Sequence, residues 1–154
     1  MKVWPISALC EGDWTLLRRR LVILNLQRQF EPVQSVAVIG ASGDRSRFGN
    51  KAVRAFLHKG YTVYPVNPTE SEIEGLPAYA SILDVPVRPG VVSVYVRPER
   101  LRTLLPAIAT RGCEELWLNP GTVSDDVLRE AEQLGLKPVQ LCSILAVGMS
   151  PAEL

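Results

Sequence analysis

Histidine and cysteine are scarce in this chain, which has one histidine (His58) and three cysteines (Cys10, Cys113, Cys142) among 154 residues. No CxxC pair occurs, so the usual structural zinc sites are excluded. An odd number of widely spaced cysteines, in a chain long enough to bury its own core, also argues against a disulfide-stapled secreted scaffold, and the expected compartment is the reducing cytoplasm. An excess of either charge is missing too: 17 Lys and Arg against 16 Asp and Glu leave a formal charge of +1. A dedicated nucleic-acid binder carries a basic surplus on one face, so no nucleic-acid partner is expected. Long apolar runs are absent. Leu21 to Leu24 follow three arginines but are interrupted by Asn25, Gln27 and Gln29, well short of a membrane span and without a secretory cleavage pattern. No membrane partner is expected.

What is present suits one folded domain with an added leader. Hydrophobic residues make up 47% and charged residues 21%, ordinary values for a chain with a real core. Residues 1 to 32 read as a leader followed by a helix, with Asp13 as cap, Leu16, Leu17, Leu21 and Leu24 on its apolar side, and Pro32 as breaker. Trp4 and Trp14 in the leader mark a candidate contact surface. Residues 33 to 154 read as the main domain, in which short β-rich runs alternate with helical stretches. Val36 to Ile39, Tyr61 to Val66, Val91 to Val96, Leu116 to Leu118 and Leu136 to Leu141 are the expected strands. Helices are expected over Asn50 to Lys59, from Pro98 to near Gly112, and over Ser124 to Leu134, with Leu76 to Tyr79 extended and Ser81 to Asp84 a single helical turn. This alternation predicts an α/β fold, a Rossmann-like doubly wound sheet of five parallel strands in three α/β/α layers.

Ligands of such sheets bind beyond the carboxyl ends of the strands, so chemistry is sought there. After the first strand runs Gly40-Ala41-Ser42-Gly43-Asp44-Arg45-Ser46-Arg47-Phe48-Gly49-Asn50, leading into a helix. Its glycines allow close backbone approach, the helix start offers unpaired N–H groups to phosphate, and Arg45, Arg47 and Lys51 can neutralise phosphate charge. Ser42 and Ser46 add hydroxyl donors. The dinucleotide fingerprint G-x-G-x-x-G fails, because Ser42 stands where the second glycine belongs, and Asn67-Pro68 closes the second strand where a ribose-binding acid would stand. Asn67 is expected to present its amide to a nucleotide.

These segments carry a family resemblance. Gly40-Ala41-Ser42, Gly49-Asn50, the stretch Gly60 to Pro68, Gly75 with Pro77 to Tyr79, Arg97-Pro98 and Leu116-Trp117-Leu118 together resemble the small stand-alone bacterial CoA-binding proteins. They are similar as well to the nucleotide-binding N-terminal domain of the succinyl-CoA synthetase α subunit. The resemblance spans roughly residues 33 to 142 and implies that coenzyme A, or an acyl-CoA, is held by the loop after strand one and the turn after strand two. On this chain those are Gly40, Ala41, Ser42, Gly43, Arg45, Arg47, Gly49, Asn50, Asn67 and Pro68, with Arg97, Asn119 and Gly121 forming a third wall. The basic residues of the loop suit a diphosphate and a further 3′-phosphate. Two departures stand out. The family's Trp-x-Gln-x-Gly is Trp117-Leu118-Asn119-Pro120-Gly121 here, and Cys142 is followed by the apolar Ser143 to Gly148 instead of a segment with Glu-His. Such a tail packs on a partner or on a neighbouring helix.

Other candidates weigh less. Cys142 falls at a strand end near the expected cleft, with no histidine or lysine close in sequence to activate it, and reads as a small buried residue. His58 reads as a helix C-terminal group, Asp125 and Asp126 as first-turn acids after Thr122 or Ser124, and Trp117 as core. The expected function is binding of CoA or acyl-CoA without catalysis of its own. The alternatives are an NAD(P)-binding redox enzyme or redox sensor, and a non-catalytic subunit docked on a larger acyl-CoA enzyme; a homodimer is also open.

Overall fold

The run Ser35–Ile39 (β1) is apolar on both faces and forms an interior strand of the sheet, where a strand covered on both sides must lie. The computed structural model describes residues 34 to 154; the expected leader, its helix, Trp4, Trp14 and Cys10 lie outside the described residues. Within them follow Phe48–His58 (α1), Thr62–Val66 (β2), Glu72–Ile73 (β3), Leu76–Pro77 (β4), Val91–Val94 (β5), Pro98–Arg111 (α2), Glu115–Leu118 (β6), Asp125–Gln133 (α3), Pro138–Gln140 (β7) and Ser143–Ala146 (α4). The five-stranded sheet has the order β2-β1-β5-β6-β7, and every pair in it is parallel. The α/β class and the doubly wound five-stranded sheet are therefore as the sequence predicts.

Alternation along β1 divides the core. Val36 and Val38 face Ala52, Val53 and Phe56 of α1, whereas Ala37 and Ile39 face Leu101, Leu105 and Ile108 of α2 and Val127 of α3. Full burial of each such aliphatic side chain stabilises by about 1.5 to 3 kcal/mol before the entropy of ordering it is subtracted. The apolar tail chooses the neighbouring helix. Ile144 of α4 is fully buried in the α1-side core, and Lys51 Nζ of α1 donates to the Pro151 carbonyl at 2.6 Å.

Several boundaries differ from the expectation. The third long strand ends at Val94 and not Val96, because Tyr95 N makes the last bond to Ile39 O at 2.8 Å and β1 then turns away at Gly40. The first helix begins two residues early, at Phe48, because Arg47 O already accepts from Asn50 N and Lys51 N. The last strand shortens to Pro138–Gln140. Of the two candidate caps for α3, Ser124 is the one used, its Oγ accepting from Val127 N at 3.2 Å. Trp117 is only half-buried and gives its indole N–H to Glu115.

The switch in strand order falls between β1 and β5, where one chain leaves the sheet toward each face. There the loop after β1 folds back so tightly that a Cβ on Gly49 would lie 2.0 Å from the Gly40 carbonyl oxygen. Backbone cannot yield as a flexible side chain would. Gly49→Ala is expected to cost about 3 kcal/mol or more by overpacking, measured as a fall in the urea midpoint. A stability within 0.5 kcal/mol of the parent, about the effect of a neutral surface substitution, would contradict this close approach.

Candidate functional site

Polar side chains of the loop after β1 are mostly spent on the loop itself. Ser42 is buried and its Oγ accepts from Asp44 N at 3.1 Å, while Asp44 Oδ1 accepts from the Ser46 N–H at 3.0 Å and the Ser46 hydroxyl at 2.7 Å. Those bonds from Ser46, with Arg47 at 3.4 Å, hold the Asp44 carboxyl below its ordinary range. The two serine hydroxyls are thus used within the loop. Asn50 is fully buried: its Nδ2 donates to Ser42 O at 2.8 Å and to Glu74 Oε1 at 2.9 Å, and its Oδ1 accepts from Arg54 Nε at 2.8 Å. It is a strut between the loop, α1 and the β3–β4 hairpin. The bond to Glu74 also steadies that residue's unusual φ of 51° in the hairpin turn.

Asn67 does the same for the turn after β2. Its Oδ1 accepts from Thr69 N, Thr69 Oγ1 and Glu70 N, and its Nδ2 donates to Ala41 O at 2.8 Å and to Glu70 Oε1 at 3.1 Å. Pro68 beside it is exposed. The amide expected to face a nucleotide is consumed in tying two loops together. Glu70, which the sequence reading passed over, completes the join: its Oε2 accepts from Gly43 N at 2.7 Å. An acid three residues after an Asx-turn asparagine is the signal that could have found it.

A cavity of about 460 Å³ opens at the carboxyl ends of β1, β5, β6 and β7. That volume falls in the usual range of small-molecule sites. Gly40, Arg47, Phe48 and Gly49 form one wall, Tyr95, Val96 and Arg97 the second, and Asn119 to Thr122 with Cys142 the third. Two helices begin here, and neither is closed by its own side chain: the N-caps of α1 and α2 are Arg47 and Arg97, and no side-chain bond caps either. Arginine is a poor N-cap, whereas α3 is capped by the Ser124 hydroxyl. Each uncapped start presents a positive dipole end, worth about 0.3 to 1 kcal/mol to an anion, beside a guanidinium.

Beneath this rim lies a buried polar floor. Asn119 Nδ2 donates to Ser93 Oγ at 3.1 Å and Val94 O at 2.9 Å, its Oδ1 accepts from Ser143 N at 2.7 Å, and the Ser93 and Ser143 hydroxyls lie 2.7 Å apart. Asn119 therefore fixes the third wall and does not reach into the cavity as a free amide. The Tyr95 hydroxyl is buried without a hydrogen bond of good geometry. Burial pushes its pKa up to about 12, against a smaller opposing effect of the Ser143 and Ser93 hydroxyls. Cys142, expected to be a small buried residue, is half-buried on the cavity wall. The other described thiol, Cys113, is pushed up to about 11 by burial.

The expected site residues thus fall into two neighbouring groups. Gly40, Arg47, Gly49, Arg97, Asn119 and Gly121 line the cavity. Ala41, Ser42, Gly43, Arg45, Asn50, Asn67 and Pro68 belong to the adjoining loop and turn, where Arg45 lies 3.7 Å from Glu74. Phe48 directly follows Arg47 in the loop, and Tyr95 and Val96 read in sequence as the end of a strand, so none of the three signals a cavity wall locally. His58 ends α1 and does not line the cavity. No described helix is long and apolar enough to cross a membrane.

The profile of a family described as the CoA binding domain matches residues 34–149. The ADP-forming acetate–CoA ligase I of Archaeoglobus fulgidus is 27% identical over 124 residues, which are 74% of this chain but 18% of the ligase. The uncharacterized protein YneT of Bacillus subtilis is 26% identical over 65% of this chain and 74% of its own length. Among solved structures, a conserved hypothetical protein from Pyrococcus furiosus superposes with a TM-score of 0.70 at 31% identity, covering 73% of this chain and 98% of that one. The dinucleotide forming acetyl-coenzyme A synthetase 1 of Ca. Korarchaeum cryptofilum, solved with phosphate and ADP, gives 0.62 at 28% identity over 74% of this chain and 26% of the enzyme. The chain spans about a fifth to a quarter of these two ligases.

The buried hydroxyl of Tyr95 gives the cavity a measurable signature. Its folded pKa of about 12 lies above the ordinary 10, so the folded state holds the proton more tightly and stability falls as pH rises from 10 to 12. The loss expected from this group alone is about 2 to 3 kcal/mol. In Tyr95→Phe that part of the alkaline fall disappears, while stability at pH 7 stays level or rises, since a buried unpaired hydroxyl is removed. Urea titrations at pH 7, 10 and 11.5 check both outcomes.

Proposed function

The chain belongs to the CoA binding domain family, and from that premise we propose that it is a small CoA or acyl-CoA binding protein of the cytoplasm. In this reading residues 33 to 154 are the binding domain and residues 1 to 32 a separate leader. The observation that carries it is the cavity at the switch point, where the starts of α1 and α2 are each flanked by an arginine and left without a side-chain cap. A diphosphate satisfies those N–H groups and charges at once. The remaining walls, Phe48, Val96, Tyr95 and Pro120, are apolar bodies against which a long uncharged arm can lie.

The same walls support binding without catalysis. Among the described residues, those lining the cavity include no histidine, lysine or carboxylate to serve as general base, and Tyr95 holds its proton to about pH 12. Related domains sit within larger synthetases, which favours a second reading in which this chain serves as a non-catalytic subunit beside a larger acyl-CoA enzyme. Under that reading the leader would provide the docking element.

Binding is tested by a melting shift and by calorimetry with CoA, using NAD and NADP as controls. At a hundredfold excess over its dissociation constant CoA should add about 2.7 kcal/mol of stability. Arg47→Ala and Arg97→Ala should each weaken CoA about tenfold, the cost of one charge-assisted phosphate contact, whereas Arg45→Ala should change it far less. No response to millimolar CoA, or equal responses to NAD, would overturn the proposal.

A further inference from the structure

In doubly wound sheets the diphosphate of a bound nucleotide lies at the start of the first helix and its ribose at the carboxyl end of the second strand. Here that corner is occupied by a fixed carboxylate. Glu70 Oε2 accepts from Gly43 N at 2.7 Å, Oε1 accepts from Asn67 Nδ2 at 3.1 Å, and Glu70 N donates to Asn67 Oδ1 at 3.1 Å. Both oxygens and the backbone are held, so this is not a surface glutamate free to swing aside. Gly43 makes the approach possible, since a Cβ there would sit 2.6 Å from Oε2.

Among the described residues no ion pair includes Glu70, and Arg45, two residues beyond Gly43, lies against Glu74. The segment from Asn67 to Gly75 holds Glu70, Glu72 and Glu74 and no lysine or arginine. Positive charge collects instead at the other end of the loop, where Arg47 and Arg97 line the cavity. The site is therefore polarised: basic where a diphosphate would rest and acidic where the ribose would rest.

We infer that Glu70 sets the specificity of the ribose corner, favouring an adenosine diphosphate ligand whose ribose hydroxyls are free over one carrying a 3′-phosphate. The inference rests on the CoA-type reading above and names its ligand class more narrowly, as the dephosphorylated form of coenzyme A. A carboxylate with lone pairs to spare accepts from ribose hydroxyls, and, paired with no cation among the described residues, it repels a phosphate monoester. The expected discrimination is about tenfold, the size of one like-charge contact at a half-exposed site.

The experiment measures dissociation constants for CoA and dephospho-CoA by calorimetry on the full chain and on two variants. Glu70→Gln keeps an acceptor for Gly43 N and removes the charge, while Glu70→Lys reverses it. Wild type should bind dephospho-CoA at least tenfold more tightly than CoA, Glu70→Gln should bring the two within about threefold, and Glu70→Lys should turn the preference round. Measurable binding of both ligands with CoA equal or favoured in wild type, or with a ratio that Glu70→Gln leaves unchanged, overturns the inference and leaves the CoA reading standing. Absence of binding by either ligand to any of the three proteins overturns both.

Discussion

The approach of Gly49 to the Gly40 carbonyl is the constraint on which the rest of the site depends. It fixes where α1 starts relative to the end of β1, and so where the N–H groups of the first helical turn point. Were the loop wider, Arg47 would no longer stand at the rim of the cavity. Only hydrogen atoms fit between the two backbone segments, so the position is closed to every other residue type.

Three amides, those of the buried Asn50 and Asn119 and the half-buried Asn67, then hold what the glycines permit. Asn50 binds the loop to α1 and the β3–β4 hairpin, Asn67 binds it to the turn after β2, and Asn119 binds β5 to the start of α4. An asparagine can make several hydrogen bonds in different directions, and in a low-dielectric interior a fully paired amide locks its neighbours while an unpaired one is costly. The three amides act as struts under a rim whose charged side chains, Arg47 and Arg97, stay exposed to solvent. Rigid support and accessible charge are thus divided between different residues.

That division explains which parts of the site were legible in the sequence. Gly40 and Gly49 after the first strand, Arg47 before a helix and Arg97 before the Pro98 helix start are local signals, and these four line the cavity as their spacing implies. Asn67 and Asn50 read as ligand-facing because they stand in ligand-bearing loops. Only tertiary partners show that their polar atoms are already committed, and Thr69, Glu70, Glu74 and Arg54 are those partners. Glu70 escaped notice for the complementary reason. The acid sought at the end of the second strand would stand where Asn67 does, and a turn brings a later one back to the glycine loop.

Alternating β-rich and helical runs by themselves determined the doubly wound sheet, because a strand apolar on both faces must be covered on both, and parallel strands need crossovers to cover them. The sequence likewise determined the balance of charge and the glycine-bearing loop. Tertiary structure alone decided that the tail around Ile144 is core, that the serines and asparagines of the loops are struts, and that a carboxylate rests on Gly43. The physical reason is the same in each case. Burial and hydrogen-bond partnership are relations between residues tens of positions apart, and periodicity reports only which way a side chain points, not what meets it there.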